Sequence, residues 1–265
     1  MADSTDTRKE RRAAARAERD RAAEAARQRQ RQRLWLLGGG ALIAVVIVLA
    51  IALSSGGDDT PELRSGETVP GQIEANERFA GIPQDGITVG DPRAPVTFVE
   101  FADLQCPFCR DYTMQVMPTI VDYVRNGDVR MVFQNVAFLG TDSARAAQMA
   151  AAASRQDKLW EFVEIFYANQ GTENSGYVTD AFLRRVAGGV RGLDVEQAME
   201  DRGLPEVQRQ LDEATAEWQA AGFTGTPSFL LGPTGGRLDA LEIQSFDPGE
   251  FTTAIDRALA QASSR

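Results

Sequence analysis

The chain has 265 residues, 43% of them apolar, enough for one large or two small globular domains. Its two cysteines and complete lack of histidine exclude a structural zinc site of the usual Cys/His kind, which needs four such ligands. The net charge of −10 divides unevenly: residues 1–33 hold eleven Lys/Arg against six Asp/Glu, a net +5, so residues 34–265 carry −15.

The basic segment, 1–33, is built of Arg, Ala, Glu and Gln. It favours helix but offers no apolar face to bury, so it reads as a solvated tail. A nucleic-acid arm is the other reading of such a run, but the next segment explains the charge better and no nucleic-acid partner is expected. Residues 34–53 are twenty positions without a charge, long enough as a helix to cross a bilayer of about 30 Å. Trp35 stands at the start of this segment, the Arg-rich flank precedes it and Asp58 and Asp59 follow. The positive-inside rule then keeps the tail in the cytoplasm and everything after residue 53 outside. A cleaved signal peptide is the rival reading, with Ala50-Ile51-Ala52 as a small-x-small cleavage site. The apolar stretch is longer than a signal core, which favours an uncleaved single-pass anchor. Residues 54–86 are polar and punctuated by Gly and Pro, and read as a flexible linker in which 72–79 could form a turn or two of helix.

The body is expected from residue 87 to 265. A short strand at Ile87-Thr88-Val89 leads through Gly90-Asp91-Pro92 to a run of β-formers at 96–101, then a turn, then Cys106-Pro107-Phe108-Cys109. A helical pattern follows at Tyr112, Val116, Ile120 and Val124, bent at Pro118 and ended by Asn126-Gly127. Residues 129–133 alternate as a strand, which completes a β-α-β unit with Cys-x-x-Cys at the carboxyl end of its first strand.

Cys106 reads as the helix N-cap, with Pro107 as first helical residue. Its sulfur then faces the free N–H groups of Phe108 and Cys109 and the positive end of the helix dipole, which favours a thiolate. Cys109, one turn on, is placed to resolve a mixed disulfide. A structural disulfide between residues three apart closes too small a loop to remove much unfolded-chain entropy, which favours a redox role and leaves a degenerate motif kept for packing as the alternative.

Residues 141–221 are helical almost throughout, with Trp160 and Trp218 on stripes that read as core rather than ligand contacts. Thr224-Gly225-Thr226-Pro227-Ser228-Phe229 returns to strand chemistry. Weak strand signals follow near Arg237-Leu238 and at 241–243, and Asp247-Pro248-Gly249-Glu250 opens a last helix.

This α/β order resembles a thioredoxin-like fold with a helical insertion at about 141–221, the arrangement of the DsbA-like thiol:disulfide oxidoreductases, here preceded by a single N-terminal transmembrane helix. The resemblance rests on Gly90-Asp91-Pro92 with Ala94-Pro95, on Glu100-Phe101 leading to Cys106-Pro107-Phe108-Cys109, on Ser143-Ala144-Arg145-Ala146-Ala147, and on Gly225-Thr226-Pro227-Ser228-Phe229. It implies that Cys106 attacks and Cys109 resolves, and that Pro227 is a cis-proline beside them. It also implies that the Thr226 backbone pairs with substrate and that Glu100 is a partly buried carboxylate beneath the site. The other reading of Glu100 is a strand-end acid facing solvent. Such a buried acid would have a raised pKa and could exchange a proton with Cys109.

DsbA-like relatives from enterobacteria carry histidine between the cysteines. Phe108 offers only its N–H and an apolar face, so a higher Cys106 pKa and a less oxidising couple are expected. The implied function is an extracytoplasmic oxidoreductase that introduces disulfides into exported proteins with cysteines. It would need no cofactor or metal and would be reoxidised by a membrane oxidase or small-molecule oxidants. A reductase or isomerase is the alternative within the class, and a membrane-tethered chaperone without redox chemistry the alternative outside it.

Overall fold

The computed structural model describes residues 68–263. The expected basic tail at 1–33, the transmembrane helix at 34–53 and the first part of the linker lie outside them. Among the described residues no helix is long and apolar enough to cross a membrane.

One six-stranded sheet organises the domain, in the order β1-β2-β4-β3-β5-β6. Its centre is β3, Val96–Ala102, all seven residues of which are buried because both faces of the strand are covered. Parallel to it runs β4, Val129–Asn135, in the register Val96↔Val129 to Ala102↔Asn135. On its other side β5, Ser228–Pro233, is antiparallel and sets Glu100 opposite Phe229. The short strands β1 (Gln84–Asp85), β2 (Thr88–Val89) and β6 (Asp239–Ala240) finish the edges. The expected strand signals on either side of residues 239–240 resolve into β6 between them.

Alternation along β3 sorts its side chains between two layers. Val99 and Phe101 pack with Val136, Phe223, Trp218 and Leu230 on one face. Phe98, Glu100 and Ala102 point to the other, where the aromatic residues gather. Phe98, Tyr112, Phe229 and Phe251 form one set of mutual ring contacts there, with centroids 4.7 to 6.4 Å apart.

The helix expected to bend at Pro118 is instead broken in two, α2 (Pro107–Gln115) and α3 (Met117–Arg125), with Val116 between them. Proline at the second position of α3 forms a new helix start rather than a kink. Residues 141–220 hold five helices: α4 (Thr141–Ser154), α5 (Leu159–Ala168), α6 (Asp180–Gly188), α7 (Val195–Asp201) and α8 (Pro205–Ala220). The chain returns to the sheet at β5 and closes with α9, Pro248–Ser263, which packs on β5 and β3.

One expected boundary is corrected. The linker assigned to 54–86 is folded from Val69 onward, and the domain does not begin at residue 87. Helix α1, Gln72–Arg78, docks on α5, and Val69, Ala75, Phe79 and Ile82 are buried. Phe79 packs on Trp160 at 5.9 Å, Asn76 Nδ2 donates to Gly189 O at 2.8 Å, and Arg78 pairs with Glu164. Close docking requires Gly71 at the N-cap. Its φ is +77, and a Cβ there would stand 2.6 Å from that of Ala168.

Candidate active site

Strand β3 ends at Ala102, and four residues later Cys106 caps α2 with extended φ/ψ of −71 and 120. Pro107 occupies the first helical turn, where its missing N–H costs nothing. The turn between them is fixed by Asp103, which is fully buried. Its carboxylate accepts from Gln105 N at 2.8 Å, Ser143 Oγ at 2.6 Å, Phe138 N at 3.0 Å and Leu139 N at 3.1 Å. Gln170 Nε2 donates to the carbonyls of Leu104 and Cys106 at 2.8 and 3.2 Å. The helical insertion thus holds the cysteine turn from behind.

Cys106 and Cys109 carry free thiols in very different surroundings. Cys106 is pulled down from 9.0 to about 6. The largest contribution is a hydrogen bond from the Cys109 thiol. Thr226 and the N–H groups of Cys109 and Phe108 add to it, and partial burial opposes them. Cys109 is fully buried, and burial, followed by its bond to Cys106, pushes its thiol far above the ordinary value.

Opposite the cysteines lies the loop that enters β5. Pairing of β5 with β3 brings residues 226 and 106 together across 120 positions of sequence. The Thr226–Pro227 peptide is cis, and Cys106 Sγ lies 3.3 Å from Thr226 O. The Thr226 hydroxyl is buried without a hydrogen-bond partner and favours the anion at both sulfurs. Trp218 Nε1 donates to Gly225 O at 3.2 Å, which ties this loop to α8.

Glu100 is fully buried, which settles the choice between a solvent-facing acid and a buried one. Neither carboxyl oxygen has a hydrogen-bond partner. Burial, with the Glu164 charge added, raises it to about 8. Burial, followed by the charges of Glu100 and Cys109, raises the phenols of Tyr112 and Tyr167, so the acid and the buried sulfur lie within electrostatic reach of the same two side chains.

The structure brings Cys106, Cys109, Thr226 and Pro227 together and sets Glu100 behind them. Phe108 points outward, 63% exposed. Sequence reasoning missed Asp103, although the Ser143 start of α4, singled out as a motif, carries the hydroxyl it accepts from. Trp218 is only half buried and stacks on exposed Phe138 at 5.5 Å and 19°, while Trp160 is core.

Two thiols this unequal, three residues apart, can exchange with an external disulfide one after the other. On a strand-turn-helix of this fold they define a DsbA-like, thioredoxin-fold thiol:disulfide oxidoreductase. A family model described as Thioredoxin matches residues 83–256, and the chain belongs to that family.

Among curated relatives, probable disulfide bond formation protein D of Bacillus cereus is 32% identical over 162 residues, covering 60% of this chain and 74% of that protein. Disulfide bond formation protein D of Bacillus subtilis is 28% identical over 163 residues, covering 60% and 73%. Among solved structures, oxidised BdbD from Bacillus subtilis superposes with a TM-score of 0.58 at 26% identity, over 66% of this chain and 94% of that one. A thioredoxin-like oxidoreductase from Silicibacter pomeroyi gives 0.51 at 31% identity, over 70% and 96%.

Proposed function

We propose that this chain is a membrane-anchored, extracytoplasmic oxidoreductase that donates the Cys106–Cys109 disulfide to exported proteins. A substrate thiolate attacks Cys106 Sγ, and the electron pair of the S–S bond leaves on Cys109 Sγ. Glu100 gives Cys109 its proton and becomes a carboxylate. The substrate's second thiolate then attacks its own sulfur in the mixed disulfide, and Cys106 departs as a thiolate. Two electrons have passed from substrate to enzyme. A membrane oxidase or a small-molecule oxidant must remove them before the next turnover.

The observation that carries this reading is the inequality of the thiols. A Cys106 anion stable at about 6 is a good leaving group, and it favours the reduced enzyme, hence donation of the disulfide. Thr226 O beside Cys106 supplies a backbone acceptor for an extended substrate segment. Phe108, next to Cys106, and the Phe138–Trp218 stack, tied to the same turn and loop, offer apolar contacts for an unfolded chain. Support for the location is the uncharged stretch at 34–53 behind an Arg-rich flank. The names of the Bacillus relatives support the direction.

Equilibration with glutathione tests the proposal. Donation requires a potential between roughly −200 and −120 mV, whereas a value near thioredoxin's, about −270 mV, makes the enzyme a reductase or isomerase. That second reading draws on Phe108, which gives the thiolate no cation. Replacing both cysteines by serine separates a chaperone, because binding of unfolded chains without redox chemistry would survive it.

A further inference from the structure

Behind Cys109, between the sheet and α5, buried polar atoms lack hydrogen-bond partners. They include both oxygens of Glu100, the Tyr112 hydroxyl, both amide atoms of Asn135, the indole Nε1 of Trp160 and Oε1 of Glu164. The fold connects them. Glu100 is the register partner of Phe133, the Phe133 ring packs edge-on against Trp160 at 5.9 Å, and Glu164 follows Trp160 by one turn of α5. Asn135 lies two residues beyond Phe133 on the same face of β4. At the outer end Arg78 Nε stands 2.9 and 3.0 Å from the two Glu164 oxygens, donating to Oε2. Arg78 belongs to α1, which precedes the family match beginning at residue 83.

We propose that Arg78 and Glu164 are positioning residues for the proton that serves Cys109: Arg78 keeps Glu164 ionised, and the Glu164 charge holds the proton on Glu100 until Cys109 takes it. This inference rests on the role given above to Glu100. The groups that face each carboxyl agree with it. The Glu100 charge acts on the buried phenols of Tyr112 of α2 and Tyr167 of α5, as does that of Cys109; Glu164 of α5 acts on Glu100 itself, and β4 and β5 present Phe133 and Phe229 as its register partners. The one charge among them acting on Glu100 is that of Glu164. Around Glu164 stand Arg78 and Glu74 of α1 and Glu161 of its own helix; burial raises Glu164 to about 7 and Arg78 opposes the rise, so Glu164 is a carboxylate where Glu100 ionises, about 8. Like charges in one enclosed space cannot both ionise freely, so a Glu164 carboxylate keeps Glu100 protonated. When the ring opens, the proton moves from Glu100 to the Cys109 sulfur. When the ring closes, it returns, and Cys109 attacks Cys106 as a thiolate.

The closing step is the one to measure. With Cys106 of the full chain held in a mixed disulfide with glutathione, Cys109 displaces the glutathione thiolate, and stopped-flow release gives the rate at each pH. In the wild type the rate rises around the ionisation of Glu100, about 8. Glu164→Gln removes the repelling charge and moves this midpoint at least roughly one pH unit to the acid side. Arg78→Gln moves it the same way, because Glu164 without its cation takes up a proton.

The double variant moves it no further than Glu164→Gln, since Arg78 acts through Glu164. Arg78→Lys and Glu164→Asp, which keep the charges, return it to the wild-type position, and a purely structural pair would not show this rescue. A midpoint unmoved by Glu164→Gln, or a double variant displaced further, overturns the inference while leaving the Glu100 role intact. A rise that persists in Glu100→Gln removes the Glu100 role, and this inference with it.

Discussion

Cys109→Ala tests which group holds the Cys106 anion. The Cys109 thiol is the largest contributor to an ionisation lowered from 9.0 to about 6, ahead of Thr226 and the helix N–H groups. At about 6, roughly nine in ten Cys106 sulfurs are anions at pH 7, whereas at 9.0 about one in a hundred would be. Deleting the thiol leaves the hydroxyl, the N–H groups and the dipole, and about half of the depression should survive. Ionisation between about 7 and 8 is then expected, with roughly a quarter of Cys106 ionised at neutral pH. With two cysteines in the chain, the variant has a single titrating thiol, and the ultraviolet absorbance of the thiolate against pH reports it directly. A value still near 6 refutes the weight placed on Cys109 and leaves the helix terminus sufficient alone. A return to 9.0 refutes the opposite half of the reasoning, that the N–H groups and Thr226 contribute.

Three further outcomes follow from the same geometry. Glu100 binds its proton more tightly folded than unfolded, because burial raises it to about 8 from an ordinary 4.5. The stability this confers is complete below about 4.5 and is lost as pH rises through about 8. Thermal unfolding across that window should show wild type losing stability relative to Glu100→Gln, and parallel curves would contradict the burial. Thr226→Val deletes a hydroxyl that favours both thiolates, so Cys106 should ionise higher and the potential against glutathione should become more reducing; an unchanged potential would remove that hydroxyl from the site. Asp103→Ala leaves four donors without their acceptor and should cost on the order of 3 kcal/mol in urea unfolding. A loss below about 1 kcal/mol would mean that the turn holds without it.

Local chemistry made the strand, the cysteine turn and the helix start legible. β-formers at 96–101, proline at N1 and an N-cap cysteine each point to the same conformation without help from distant residues. The position of Thr226 beside Cys106 was not local, since it depends on β5 pairing antiparallel to β3, and only the family resemblance anticipated it.

Glu100 and Glu164 show what else the sequence contained. Both interrupt elements that are otherwise almost wholly apolar, β3 and α5, and both elements are covered on all sides. An acid inside such an element cannot reach water by rotating outward, so it must be neutral or find a partner from elsewhere in the chain.

For α5 those partners come largely from the segment that composition assigned to a linker. Arg78 reaches Glu164, and Gln84 Nε2 donates to Glu161 Oε2 at 2.9 Å. The short helix expected at 72–79 is present as α1, Gln72–Arg78, but its docking was not legible, because its place depends on Phe79 against Trp160 and the bare Cα of Gly71 against Ala168. The misplaced linker boundary and the partners of the α5 acids therefore have one cause. Two carboxylates buried in an apolar helix require donors that residues 87–265 do not supply in full, and the polar stretch just before residue 87 is where the fold finds them.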